Sequence, residues 1–233
     1  MPIPTADVDA IVAVGAPVLC VDTCIILDIM RDPTRETAKA HERQAALDLL
    51  SMMETGNALT GLVAEQVQIE FANNAMTVQE EAVRALRKLR EQVARIEAVA
   101  AVFGGVGKAD LGHLDDYVAR SQAVNRWMAA ATRVDGSAEI AARALNRVNQ
   151  VRTPAQRGKD SIKDCAVIET YLDMISKLRA GGLASKVAFV SSNTKDYAGE
   201  TGHSLNADLS GEFEAIGMEY APNLAAAKFM LGL

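Results

Sequence analysis

Four carboxylates interrupt or abut apolar runs: Asp22 in VLCVDTCIILDIM, Glu70 in EQVQIEFANN, Asp164 in DSIKDCAVIET and Asp196 in NTKDYAG. An ionised carboxylate buried without a partner costs several kcal/mol, so a set of them needs protons, hydrogen-bond donors or cations. Hard divalent cations answer that need. Magnesium takes about six oxygens, commonly a few carboxylates together with waters and substrate phosphates. Metal-assisted hydrolysis of a phosphodiester is the chemistry such a set could do.

Other ligand types point nowhere else. His41, His113 and His203 are scattered in surface-like contexts without helical or short-loop pairing, which disfavours zinc. Cys20 and Cys24 lack a second pair, and with Cys165 they read as small buried hydrophobes in a reducing compartment. Each acid also has a structural reading. Asp22 suits a helix N-cap, Glu70 a solvated helix position, Asp164 a capping-box variant with Ser161, and Asp196 a turn. Glu65 competes with Glu70, and Asp160 with Asp164, but Asp164 leads directly into the buried pattern Ala166, Val167, Ile168. Asp28 reads as a solvated position or a local salt bridge.

The elements that must position these acids alternate. Strands are predicted at 18–21, 58–63, 186–190 and 216–220, with helices near 23–30, 41–54, 65–74 and 161–178, and from Pro222 to Met230. A long amphipathic helix or kinked pair spans 77–103, and helices follow at 114–131 and 137–148. Nothing between 76 and 150 reads as strand. The alternation predicts a mostly parallel sheet covered on both faces, with ligands bound at the carboxyl ends of its strands. Asp22 follows the first strand; Asn193 and Asp196 follow the one at 186–190.

The chain of 233 residues carries a net charge of −6, so its overall field does not attract nucleic acid and any polyanion must be held locally. No apolar run is long enough for a membrane span and no signal stretch opens the sequence, which predicts a cytoplasmic protein with no membrane association. Basic residues Arg84, Arg87, Lys88, Arg90 and Arg95 are interleaved with Glu80, Glu81, Glu91 and Glu97, as on a salt-bridged solvated helix. Phe103, Tyr117 and Trp127 lie in apolar settings that suggest packing. The FGGVGKAD stretch lacks the spacing of a phosphate loop and reads as a turn.

Taken together, VLCVDTCIILDIM, LVAEQVQIEF, RGKDSIKDCAVIETYL and VAFVSSNTKDY resemble the successive acidic motifs of the PIN-domain nucleases, in particular a larger subgroup with a helical insertion. The resemblance implies a three-layer α/β PIN-like domain over 1–233, a central mostly parallel sheet flanked by helices, and a helical insertion at 76–150. It also implies a magnesium- or manganese-dependent endoribonuclease whose acidic pocket is Asp22, Glu70, Asp164 and Asp196. Many family members have an Asp two residues after a Ser or Thr in the last motif; here Asn193 follows Ser191 at that spacing, so Asn193 or Asp196 fills the fourth position. Thr23, Arg157, Lys159, Ser191, Ser192 and Asn193 are expected near metal-bound water or the RNA. RNA is then the substrate, with an antitoxin-like protein and a second copy of the chain as implied partners. The alternative is a catalytically silent PIN-like nucleic-acid-binding or scaffold protein. A phosphatase on a haloacid-dehalogenase-like sheet would want a second Asp at position 24, which is Cys.

Overall fold

The structure, a computed structural model, describes residues 5–199 and 204–233. The chain opens with α1 (Val8–Val14), capped by Asp7, and continues through β1 (Val18–Val21), α2 (Thr23–Met30) and α3 (Ala40–Glu54). Then come β2 (Thr60–Ala64), the 38-residue α4 (Glu65–Val102), α5 (Tyr117–Ala130), β3 (Thr132–Val134) and α6 (Ala138–Asn149). The last part holds α7 (Ile162–Ala180), β4 (Val187–Val190) and the one-turn α8 (Thr194–Tyr197). It ends with α9 (Ala207–Ala215), β5 (Met218–Ala221) and α10 (Leu224–Leu231).

All strand pairings are parallel, in the order β3-β2-β1-β4-β5. Helices flank this sheet on both sides, which is why β1 and β4 are wholly buried and read as unbroken apolar runs. From β1 the chain moves outward to β2, whereas from β4 it moves the other way to β5. The carboxyl ends of β1 and β4 therefore flank the topological switch point, the usual crevice for ligands in open α/β sheets. Among the described residues, no helix is long and apolar enough to cross a membrane.

A tyrosine organises this edge. The β1–β2 ladder ends at Cys20↔Leu62, and the next groups turn to α7: the Tyr171 hydroxyl donates to the Val21 carbonyl at 2.6 Å and accepts the Ala64 N–H at 3.0 Å. This bond seats α7 across both strand ends, two turns from Asp164. Below it, Phe189 of β4 is ringed by Tyr171, Tyr197, Phe213 and Tyr220 at centroid distances of 5.3 to 6.4 Å. The segment before α7 is anchored by charge. Arg147 of α6, nearly inaccessible, donates to Glu169 of α7 at 2.7 Å, to Glu212 of α9 at 2.8 Å and to the Thr153 carbonyl at 2.7 Å. Such a guanidinium is stable in the interior because its donors are met by two carboxylates.

Several expectations need correction. The central segment is not free of strand: β3 pairs with β2 over Leu62↔Thr132 to Ala64↔Val134. Three residues, one of them Arg133, are too few to show a strand period. The two helices expected at 65–74 and 77–103 are one, since no Pro or Gly interrupts 65–102. Helices α1 and α9 escaped prediction; α9 carries Gly211 inside it and α1 has only seven residues. Pro222 lies before the N-cap rather than in the first turn, and Asn223 caps α10 by accepting the Ala226 N–H at 2.8 Å. Trp127 is packed in the core, but Phe103, at 86% exposure, is not. Along α4 the basic residues are partly paired, Arg87 with Glu91 at 3.8 Å and Arg90 with Asp115 at 2.7 Å.

Replacing Tyr171 by Phe removes the hydroxyl and leaves the Val21 carbonyl and Ala64 N–H without that partner in the interior. The expected loss is about 2 kcal/mol of unfolding free energy, read from urea denaturation; an unchanged midpoint would show that these groups find other partners.

Candidate active site

Asp22 is the first residue beyond β1 and the N-cap of α2. One of its oxygens accepts the Thr23 N–H at 2.7 Å, and the other accepts the Ser191 hydroxyl at 2.7 Å and the Cys24 thiol at 3.4 Å. Its own N–H reaches the Val190 carbonyl at 3.0 Å, so Asp22 bridges the switch point between β1 and β4. The capping reading of this residue is correct, since its side chain accepts the first N–H of α2. Asp22 is only 5% exposed. Burial raises its pKa, the Glu70 charge adds to that, and the three hydrogen bonds oppose it.

Glu70 reaches the same place from the second turn of α4. Thr23 donates its hydroxyl to one Glu70 oxygen at 2.9 Å, and the Gln66 amide, one turn earlier, donates to the other at 3.0 Å. Asp164, in the first turn of α7, is half-buried. No hydrogen bond holds its carboxylate among the described residues. Burial first, then the charges of Asp22 and Asp196, with a smaller contribution from Glu70, push its pKa up to about 7 against the opposing pull of Lys159. Asp22, Thr23, Glu70, Asp164 and Asn193 line one cavity of about 280 Å³.

The fourth position divides between two residues. Asn193 lines the cavity, while Asp196, 5% exposed, stands behind it. Asp196 is paired with Lys159, accepts the Gln156 amide at 2.9 Å, and accepts the Asn193 amide as well. Ser191, expected beside the substrate, is instead fully buried and committed to Asp22. Ser192 turns away and donates to Asp28 at 2.7 Å, and Asp28 also pairs with Arg31 at 3.2 Å, the local salt bridge expected of it. Arg157 is exposed.

The competing acids lie elsewhere. Glu65 accepts the Gly136 N–H at 3.0 Å and steadies the turn after β3; Asp160 is exposed. The capping-box reading of Asp164 is overturned, because Ser161 occupies the N-cap of α7 without a side-chain cap bond. His41 and His113 are exposed, and His203 lies outside the described residues. Burial and the Asp22 charge push the Cys24 thiol up to about 12, so at neutral pH it is a neutral donor and not a thiolate.

Three contributors had little signal in the sequence. Gln156 and Cys24 carry no pattern of their own. The Tyr197 hydroxyl is buried without a hydrogen-bond partner among the described residues, in the field of Asp22, Asp164 and Asp196. An aromatic residue at the end of an acidic motif looks like core, and its ring is core.

A family model for the PIN domain matches residues 19–197, from β1 through α8, a span that holds all four acids. The chain belongs to the PIN-domain family. No curated protein and no solved structure matches it in the corresponding comparisons. PIN domains are generally nucleases, and the family typically uses divalent metals. Among the described residues of this PIN domain, no three His, Cys, Asp or Glu side chains stand close enough to hold one ion in common. The donor chemistry still fits a hard cation: the cavity offers the carboxylates of Asp22, Glu70 and Asp164, the Cys24 thiol is engaged with Asp22, and the Asp164 carboxylate has no hydrogen-bond donor of its own among the described residues.

The raised Asp164 pKa sets a pH dependence. The folded chain keeps this proton up to about pH 7, whereas a free carboxyl loses it near 3.8, so between these values the folded state binds more protons and metal-free stability falls as pH rises. Asp164→Asn is expected to stabilise the metal-free protein at pH 8 by on the order of 1–2 kcal/mol, after allowance for solvent screening, and to change little at pH 4. Chemical denaturation in a chelator across this range measures it; a difference that does not grow with pH would contradict the assignment.

Proposed function

We propose that this PIN-domain protein is a divalent-metal-dependent endoribonuclease that hydrolyses RNA phosphodiester bonds at the Asp22–Glu70–Asp164 cavity. The observation that carries the reading is Asp164, a half-buried carboxylate set against Asp22 and Glu70 with no protein donor to relieve it. Magnesium or manganese would be held among Asp22, Glu70 and Asp164, with Asn193 or Asp196 as the fourth group and with bound waters spanning the distances that the three carboxylates do not close by themselves. When bound, the ion supplies an activated water and stabilises charge on the leaving oxygen.

The chain's own residues prepare that site before any ion arrives. Ser191 and the Thr23 N–H fix both oxygens of Asp22, while Thr23 and Gln66 fix those of Glu70, so each carboxylate is held in one orientation. Oriented donors of this kind cost no reorganisation at the moment of reaction. Lys159 neutralises Asp196 and, being itself exposed, can also meet a phosphate at the rim, beside exposed Arg157. The acidic balance of the whole chain makes such local cations the means of holding a polyanion.

A second reading, a catalytically silent PIN-like nucleic-acid-binding or scaffold protein, is favoured by one observation. Asn193 occupies the cavity where an acid is often expected. Cleavage of an RNA panel with magnesium or manganese separates the two. Wild type is expected to cut, with Asp22→Asn and Asp164→Asn each slower by at least about 100-fold; equal rates in all three would refute the nuclease assignment. Manganese binding by calorimetry without any cleavage would select the silent protein.

A further inference from the structure

Of the four acids of the site, Asp196 alone is met by a protein cation among the described residues. The donors on Asp22 and Glu70 are neutral N–H, hydroxyl, thiol and amide groups, and Asp164 has none. One Asp196 oxygen accepts the Gln156 amide, while the other accepts both the Lys159 ammonium and the Asn193 amide. A carboxylate oxygen offers about two lone-pair directions, so the oxygen shared by Lys159 and Asn193 is saturated. Asp196 also stands outside the cavity that Asp22, Glu70, Asp164 and Asn193 line.

The backbone that carries this lysine is anchored. Lys159 belongs to the segment between α6 and α7, which forms no helix or strand of its own and is fastened along its length. Thr153 gives its N–H and its hydroxyl to the two oxygens of Asp208 at 2.8 Å each, and its carbonyl accepts Arg147 at 2.7 Å. Ala155 packs with Ala144 of α6 and Cys165 of α7. Gln156 donates to the Lys195 carbonyl at 3.2 Å as well as to Asp196, and the Lys159 N–H turns back to the Gln156 carbonyl at 3.2 Å. An ion pair between two exposed side chains is worth little. Here the carboxylate is buried, and the same ammonium also opposes the rise in the Asp164 pKa, so one lysine acts on two acids of the site.

We propose that the Lys159 ammonium is a built-in cation of the acidic site. It holds the place beside Asp196 that a second divalent ion would otherwise take, so the chain binds a single magnesium or manganese ion, with Asn193 rather than Asp196 as the fourth group around it. An ammonium is a compact point charge with three donors and no acceptor, which balances a carboxylate but cannot ligate water. A divalent ion at Asp196 would have to displace two donors from one oxygen and lie against a like charge. The proposal rests on the reading of the cavity as a divalent-metal nuclease site and deepens it, by fixing the number of ions and the group in the fourth position.

The test counts ions. The full chain, freed of metal with a chelator, is titrated with manganese, free ion being read by electron paramagnetic resonance and binding heat by calorimetry. Wild type and the conservative Lys159→Arg are expected to take one ion per chain, and Lys159→Met two, because Asp196 and Asp164 then lack their cation. Lys159→Met combined with Asp196→Asn removes one charge of each sign and leaves no orphan charge to threaten folding. It is expected to return to one ion with a Kd within about threefold of wild type, whereas Asp164→Asn weakens binding at least about tenfold. Two ions on wild type, one ion on folded Lys159→Met, or a loss of tenfold or more in the double variant would overturn the proposal, the last result being decisive even where Lys159→Met does not fold. No manganese on wild type would sink it together with the metal reading. The expected counts without any RNA cleavage would sink the nuclease and leave the role of Lys159 standing, and cleavage with the wrong counts would do the reverse.

Discussion

The hydroxyl of Tyr171 sits where β1 and β2 part, and the acidic edge of the molecule is built on it. By taking the Val21 carbonyl and the Ala64 N–H, it ends the ladder between the two strands and fixes α7 across both ends. Asp22 begins one residue beyond Val21, α4 begins one residue beyond Ala64, and Asp164 lies two turns up α7. Three carboxylates far apart in sequence are thus set by one buried side chain. A parallel sheet supplies the rest, because all of its strands deliver their carboxyl ends to the same side.

The acids brought together there are treated unequally. Asp22 and Glu70 receive two or more donors each, and Asp196 receives Lys159, Gln156 and Asn193. Asp164 receives none of these, and its raised pKa registers the imbalance. Such local instability is common where a protein gives up some folding free energy for a binding site. The same inequality explains why Asn193 is compatible with the cavity: a further carboxylate beside Asp164 would add repulsion, whereas the amide adds none and donates to Asp196.

Much of this architecture was legible in the sequence. The strands at Val18–Val21 and Val187–Val190 stood out because both faces are covered, leaving no polar alternation to mislead the eye. The acids stood out for the complementary reason, as charges at the ends of apolar runs. What escaped notice was short or nonlocal. β3 has three residues, and its strand character comes from β2 rather than from Thr132, Arg133 and Val134 themselves. The split between Asn193 and Asp196 depends on Lys159 and Gln156, contributed by a loop more than thirty residues earlier, and no local pattern announces that pairing. Ser191 looked like a group open to substrate because hydroxyls usually are; here the switch point buries it.

The placement of β3 has a bearing on how this protein can be cut down. The segment between α4 and α7 looks dispensable in a linear map, yet it contributes the outermost strand, whose backbone covers the open side of β2. Excising it would bare a row of unpaired amides and carbonyls on a flat apolar strand, the usual template for sticking to other chains. A minimal version of the domain therefore has to keep Thr132–Val134 or blunt the newly exposed border with charge.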